Sequence, residues 1–221
     1  MKIGIDIRCL MEKERTGVGE YAYQFLDDLF RKNHDQKLGN EYFLFYNSWR
    51  DVRANLPNWN YPFVHYCGWR WPNKVLNFCL KFLKFPKLDK LIIKSRGRTS
   101  MRFAVPNRVG DERRGFGLDY FIFPNQNFYA LSPGVKKTVI VHDLSPEIYP
   151  ECFSLKQRWW HKFINLKKMA RAADEIIAVS ENTKLDLVNL YKADPAKIRV
   201  IPPILSKDAF TYSHELGAKE A

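Results

Sequence analysis

Short apolar runs recur along the chain at the spacing expected of an α/β sheet. Seven of them have the length and the β-branched or aromatic content of buried strands. They cover residues 3–7, 42–46, 63–66, 120–123, 138–141, 176–179 and 198–201. Helical patterns separate several of these runs. This alternation predicts a doubly wound, mostly parallel α/β sheet with right-handed crossovers.

The first predicted helix follows a glycine-containing loop. Apolar residues fall at positions 18, 21, 22, 25, 26, 29 and 30, which is the spacing of one helix face lying on a sheet. The loop before it ends in Thr16-Gly17-Val18-Gly19. The N-terminal part of the chain therefore reads as strand, glycine loop and helix.

The third quarter of the chain predicts further helices with defined starts. Ser180 is placed to cap the helix after residues 176–179, and Asp194-Pro195 predicts a capped turn before the last strand. Between residues 155 and 170, one helix is predicted with a buried face at five apolar positions. These positions are Leu155, Trp159, Phe163, Leu166 and Ala170.

Composition bounds the size and the partners of the protein. The 221 residues are 46% hydrophobic and 27% charged, which suits one α/β domain and excludes a wholly disordered chain. The net charge of +12 indicates an anionic partner. The four cysteines lack metal-ligand spacing and are interpreted as reduced thiols, which favours a cytoplasmic location. No apolar run is long enough to predict a spanning helix.

The positive charge is concentrated in one segment. Residues 70–114 hold 13 Lys and Arg against 3 Asp and Glu. Within them, residues 74–85 predict a helix with one narrow polar stripe and an otherwise apolar surface, ended by Pro86. Such a helix must contact the domain, a partner, or the acyl boundary of an anionic membrane. The polar stripe consists of Lys74, Asn77, Lys81 and Lys84.

Two motifs carry candidate chemistry. Gly17-Val18-Gly19-Glu20-Tyr21-Ala22 fits G-x-G-x-x-G/A, in which glycines let a backbone approach phosphates. Its distance from the first strand, and the lack of an acidic residue after the second, disfavour a classical dinucleotide site. The glycines can also serve only to shape the loop. His142-Asp143 follows a buried strand at the edge where open α/β sheets bind ligands.

Several catalytic alternatives are disfavoured by missing motifs. Ser180 with His142 and Asp143 does not form a hydrolase triad signature, since no G-x-S-x-G turn is present. A P-loop and an Asp-x-Asp pair are also missing from the sequence. The aromatic residues fall mostly at core spacing, which disfavours a nucleic-acid partner.

Four motifs in order resemble one enzyme family. They are residues 1–8 followed by Thr16-Gly17-Val18-Gly19-Glu20-Tyr21, then residues 141–146 with Tyr149-Pro150-Glu151, then residues 173–183, then residues 197–203. Together they resemble the N-terminal half of a family 4 glycosyltransferase of the GT-B type. The resemblance covers residues 1–203, and the basic segment at about residues 95–117 looks like an insertion.

The resemblance implies a Rossmann-like domain that mainly holds the acceptor. Similar enzymes transfer a hexose, mannose- or glucose-type, from a nucleotide diphosphate sugar to an acceptor hydroxyl with retention, using no cofactor and generally no metal. His142 is then the candidate catalytic residue that contacts the transferred sugar. The candidate substrate-binding residues are Arg8, Gly17, Gly19, Asn125 and Asp143.

The resemblance also sets expectations about the missing half and the partners. A C-terminal donor domain is expected after residue 203, and residues 204–221 read as a linker start or disordered tail. The chain alone is therefore expected to be inactive, with a separate donor-domain chain as a candidate partner. A glycan or lipid-linked acceptor and an anionic membrane surface are further candidates. The alternative is a non-catalytic module that binds an anionic membrane or nucleic acid.

Overall fold

The sheet is fully parallel over the part of the chain that the structure describes. A computed structural model describes residues 1–95 and 117–203. Nearly all of the predicted basic insertion, and the predicted tail at 204–221, lie outside the described residues. The seven strands are β1 (Lys2–Asp6), β2 (Glu41–Asn47), β3 (Val64–Trp69), β4 (Tyr120–Phe123), β5 (Lys136–Val141), β6 (Glu175–Ala178) and β7 (Ile198–Val200).

The strand order confirms the predicted Rossmann-like α/β fold. The sheet runs β3-β2-β1-β4-β5-β6-β7, and all neighbouring pairs are parallel. The chain first moves outward from β1 to β3 and then returns to β4 on the other side of β1. The loops after β1 and β4 therefore leave in opposite directions. Such a switch point opens a crevice at the carboxyl ends of the strands.

Helices cover both faces of the sheet. They are α1 (Gly17–Asp35), α2 (Asn73–Phe78), α3 (Leu88–Ser95), α4 (Ser145–Ile148), α5 (Leu155–Ile164), α6 (Leu166–Arg171) and α7 (Glu181–Tyr191). The apolar face predicted for α1 is confirmed, since Ala22, Leu26 and Phe30 are fully buried against one face of the sheet. Residues of α3, α6 and α7 lie in the core on the other face. Among the described residues, no helix is long and apolar enough to cross a membrane.

Side-chain caps fix where two helices at the carboxyl edge begin, and where one turn at the opposite edge of the sheet begins. Thr16 accepts a hydrogen bond from the Gly19 amide at 3.4 Å and caps α1. The predicted cap at Ser180 is confirmed by a 3.1 Å hydrogen bond from the Thr183 amide. Asp194 accepts from the Ala196 amide at 2.9 Å before β7. These caps satisfy amide groups that helices leave unpaired at their first turn.

The prediction of one helix with a buried face over residues 155–170 is wrong. Asn165 takes a left-handed conformation that ends α5, and its side chain caps α6. Leu166 and Ala170 are buried as predicted, but Leu155 and Trp159 are 72% and 61% exposed. Phe163 is also exposed. Asn165 thus separates α5 from α6, and the apolar side chains of α5 lie at the surface while those of α6 are buried.

The predicted helix at 74–85 is shorter and largely unburied. The α-helical part, α2, continues as a π-helical turn over Cys79–Leu83, and Lys84 ends it with φ of 53°. Only Leu76 and Leu80 of this segment lie in the hydrophobic core. The remaining large apolar side chains of α2 and the turn are exposed.

Candidate active site

The predicted site residues lie in loops that leave neighbouring strands. Arg8 follows β1, Asn125 follows β4, and His142 with Asp143 follows β5. Strand β4 pairs with β1 on one side and with β5 on the other. Because parallel strands end at the same edge, all four residues lie at the carboxyl edge of the sheet, on both sides of the switch point.

The glycine loop and the histidine meet through Tyr21. The Tyr21 ring packs edge-on against the His142 ring, with 5.2 Å between centroids and 88° between planes. Tyr21 lies about one helical turn after Gly17 at the start of α1. Its hydroxyl donates to the Ile201 carbonyl at 2.8 Å, and burial raises its pKa to about 12. The tyrosine therefore fixes one side of the imidazole ring.

The hydrogen bonding of His142 assigns its tautomer. Nε2 lies 2.9 Å from the carbonyl oxygen of Pro124, which can only accept. We therefore assign the proton of the neutral ring to Nε2, which leaves Nδ1 as an acceptor. Burial lowers the pKa of His142, against the opposing effects of the Pro124 hydrogen bond and the Asp143 charge. A neutral imidazole is thus favoured near pH 7.

The side chains after His142 hold the loop in place. Thr183 donates from its hydroxyl to the His142 carbonyl at 3.0 Å. Asp143 is exposed, and its carboxylate accepts from the Ser145 amide at 2.8 Å. The Ser180 hydroxyl lies 3.0 Å from the Thr183 hydroxyl in addition to capping α7. Ser180 thus has a structural role at the start of α7.

The two candidate glycines have different surroundings. A Cβ atom built on Gly17 would have no heavy atom within 4 Å, so this backbone faces open space. A Cβ on Gly19 would lie 3.3 Å from the Cys9 carbonyl oxygen. Gly19 therefore allows close packing of α1 against the loop after β1. Gly17 is the glycine whose backbone a ligand can approach.

Arg8 is engaged by the protein itself. Its guanidinium pairs with the Asp6 carboxylate at 2.6 Å, and the two side chains are 7% and 3% exposed. Nη2 also donates to the Phe128 carbonyl at 2.9 Å, and Nε donates to Asp6. Arg8 therefore ties the end of β1 to the loop that follows β4.

Asn125 begins the loop that borders the crevice. Its side-chain oxygen accepts from the Gln126 amide at 2.7 Å, and the residue is half-buried. Gln126 in turn contacts Nδ1 of His161 on α5 at 3.2 Å. The loop after β4 thus connects the candidate site to α5.

Comparison with known proteins decides the family. A model of Glycosyltransferase Family 4 matches residues 16–207, which is most of the chain. The chain belongs to glycosyltransferase family 4. No curated protein matches the sequence.

Family 4 membership supports an N-terminal glycosyltransferase domain, as the ordered motifs predict. The matched span includes α1 and the edge residues after β4 and β5, while β1 and Arg8 precede it. Nucleotide-sugar donors and acceptors are the general ligands of this family of glycosyltransferases. The carboxyl edge of the sheet around the switch point is therefore the candidate active site.

Three residues that position His142 are missed by the sequence analysis. Tyr21 contacts its ring, Pro124 accepts from Nε2, and Thr183 donates to its carbonyl. Tyr21 lies on the apolar face of α1 and within the glycine motif, but neither pattern predicts its contact with His142. Pro124 directly follows β4 and Thr183 lies in the first turn of α7, so only the assembled sheet brings them to His142.

Proposed function

We propose that this chain is the acceptor-side half of a retaining hexosyltransferase. It acts on a mannose- or glucose-type hexose carried by a nucleotide diphosphate and transfers it to an acceptor hydroxyl. The observation that supports this is the convergence of the Gly17 loop and the His142 imidazole at the carboxyl edge, through Tyr21. In this proposal the amides at the start of α1 bind an anion, and Nδ1 of His142 accepts a hydrogen bond from a sugar hydroxyl.

His142 is proposed to contact the transferred sugar through Nδ1. As the bond to the leaving diphosphate breaks, positive charge develops at the anomeric carbon and the sugar hydroxyls become more acidic. A hydroxyl hydrogen bond to Nδ1 therefore strengthens in the transition state. A neutral ring suits this role, because a charged imidazolium would repel the developing positive charge. The lowered pKa of His142 supports the proposed role.

Gly17 and the start of α1 are proposed to bind an anionic oxygen of the diphosphate or acceptor. The first amides of a helix point away from its body, and the helix dipole places partial positive charge there. Gly19 keeps α1 close to the loop after β1. Arg8 is a positioning residue in this account, since it holds the loop that carries Asn125. Asn125 and the exposed Asp143 are then available to orient the acceptor.

A second domain is proposed to bind the donor nucleotide. The proposal rests on the family resemblance and on the position of the candidate residues at the carboxyl edge of the sheet. Sugar transfer requires that both substrates be positioned and that the leaving diphosphate be neutralised. Arg15, which directly precedes the capped start of α1, pairs with Glu20 at 3.2 Å, and a complementary surface on the second domain is proposed to neutralise the diphosphate.

The test is a transfer assay with radiolabelled UDP-glucose and GDP-mannose. The chain is assayed alone and together with a donor-binding domain, and the product anomer is assigned by proton NMR. We expect transfer only in the mixture, with the donor's anomeric configuration retained. Robust turnover by the chain alone would contradict the half-site proposal. An inverted product would contradict the retaining mechanism.

A further inference from the structure

An exposed apolar surface lies on α2, the adjoining π-helical turn and α5. Its side chains include two phenylalanines, two leucines and a tryptophan that are all more than half exposed, together with the exposed Phe163. We call this the aromatic surface, and its members are Phe78, Phe82, Leu83, Leu155, Trp159 and Phe163. Scattered single apolar residues are normal on a protein surface, but a contiguous group marks a contact with something else.

Lys81 joins the two helical segments into one surface. Its ammonium donates to the Phe163 carbonyl at the end of α5. It also lies 5.7 Å from the Phe128 ring centroid and 5.5 Å from that of Phe163. The apolar residues of the π-helical turn are therefore next to those of α5 in space, although about 80 residues separate them in sequence.

The surface is surrounded by positive charge. Residues 73–87 contain four lysines and no acidic residue, and residues 154–172 contain six Lys and Arg and no acidic residue. Burial, followed by repulsion from Lys168, Lys81 and Lys87, lowers the pKa of Lys84. These cations thus lie close enough to repel one another, and an anionic partner would relieve that repulsion.

A groove of about 720 Å³ opens within the surface. Its walls are Phe128, Trp159, Trp160 and Phe163, and Lys156 and Gln157 lie among its lining residues. Such a groove offers apolar walls to a hydrocarbon chain and a cation to the phosphate that the chain carries.

We propose that the aromatic surface docks on an anionic phospholipid bilayer, with its aromatic side chains at the acyl boundary and the surrounding lysines at the lipid phosphates. One acyl chain lies in the groove. Exposed aromatic and leucine side chains beside lysines are the features of interfacial membrane contact. A second copy of the chain is a poorer occupant, because it would bring two cationic surfaces together. A nucleic acid would use the lysines but leave the exposed leucines without contacts.

Docking would bring the candidate active site to the membrane. The segment that contains α2 follows β3, and α5 follows β5. Both segments therefore leave the sheet at its carboxyl edge, where His142 lies. The Gln126–His161 contact joins the loop after β4 to α5. A lipid-linked acceptor is then the substrate class that this arrangement favours. That last point rests on the proposed function, whereas bilayer binding itself requires no donor or acceptor.

The charge arm of the test uses co-sedimentation with phosphatidylcholine vesicles, with and without 25% phosphatidylglycerol, at 0.1 M NaCl. Lys84, Lys156 and Lys162 are exposed and are changed together to Gln. The control triple variant changes Lys37, Lys136 and Lys197, which are exposed at the other edge of the sheet. Each lysine at an anionic surface contributes about fivefold to partitioning. We expect binding only with phosphatidylglycerol, a loss of about a hundredfold in the first variant, and little change in the control.

The apolar arm separates insertion from simple charge attraction. Phe82→Ser and Trp159→Ser are compared with Leu38→Ser, whose side chain is also more than half exposed but precedes β2 at the other edge. Each aromatic removal should weaken vesicle binding about tenfold. Brominated lipids should quench wild-type tryptophan fluorescence, and quenching should fall in Trp159→Ser. The leucine control should bind as the wild type does.

Four results would overturn the proposal. They are equal binding to neutral vesicles, unchanged binding in the lysine variant, unchanged binding in both aromatic variants, and a stable dimer whose sedimentation coefficient falls in Trp159→Ser. The third result would indicate an electrostatic contact alone, as with a nucleic acid. Because no sugar donor is present, these results are independent of whether the chain supports hexose transfer.

Discussion

Substitution of Gly17 by alanine separates a binding role of the glycine loop from a structural one. The new Cβ would have open space, since no heavy atom lies within 4 Å of its position. Alanine also favours helices over glycine by about 0.5 to 1 kcal/mol. For a domain of this size we expect the melting temperature to rise by about 1 to 3 °C. The fold should therefore tolerate the change.

The same Cβ should impair catalysis, because it points into the space where the proposed ligand approaches the backbone. A displacement of about 1 Å at a reacting centre costs on the order of a hundredfold in rate. We therefore expect kcat/KM for hexose transfer, measured with the donor-binding domain present, to fall by about a hundredfold. A calorimetric melting scan of the same variant measures its stability. Gly117→Ala is the control, since its Cβ also has open space and precedes β4 at the other edge. Unchanged transfer by Gly17→Ala would refute the binding role.

Three further substitutions or conditions test the fold and the site. Asp6→Ala should destabilise the domain by about 3 to 5 kcal/mol in urea unfolding, because it leaves the charge of the buried Arg8 without its carboxylate partner; a loss below 1 kcal/mol would contradict this. Gly4→Ala should cost about 1 to 3 kcal/mol in the same assay, because its Cβ would lie 2.7 Å from Leu118; unchanged stability would show that the site is looser. Burial lowers the pKa of His142, so the folded state binds a proton at this ring less readily than the unfolded state does. The free energy of unfolding should therefore decline as the pH falls below about 6.5. Melting scans should show a smaller decline in His142→Gln, and an equal decline would contradict that assignment.

The strand pattern is largely predictable from the sequence, for a physical reason. Strands of a parallel sheet are buried on both faces, so they appear as short continuous apolar runs. All seven predicted strands are present, and their ends differ by at most three residues from the observed ones. The chain order of strands and helices then restricts the connections to the doubly wound arrangement.

The placement of the site residues at one edge also follows from the sequence. Arg8, Asn125 and His142 each come directly after or just beyond a buried strand, and parallel strands end at a common edge. The direction of their hydrogen bonds could not be predicted. Nε2 of His142 meets a carbonyl from the end of a neighbouring strand, and Arg8 meets Asp6 and Phe128. These partners depend on loop conformation.

The exposed apolar face of α5 could not be predicted from helical periodicity alone. Spacing of Leu155, Trp159 and Phe163 correctly indicates one apolar helix face, but it does not say what covers that face. The left-handed turn at Asn165 separates this face from the buried Leu166, and a tertiary contact with Lys81 sets its surroundings. Counting charge along the sequence does not reveal the basic surface at α5 either. The six Lys and Arg of residues 154–172 are offset in that count by acidic residues in other parts of the chain.

The most direct test of the account is hexose transfer by His142→Gln in the presence of the donor-binding domain. Glutamine can keep the hydrogen bond to the Pro124 carbonyl but lacks the acceptor at the position of Nδ1. We predict that kcat falls by about a hundredfold to a thousandfold, while His34→Gln, at the far end of α1, transfers at the wild-type rate. Wild-type kcat in His142→Gln would contradict the proposal that this imidazole contacts the transferred sugar.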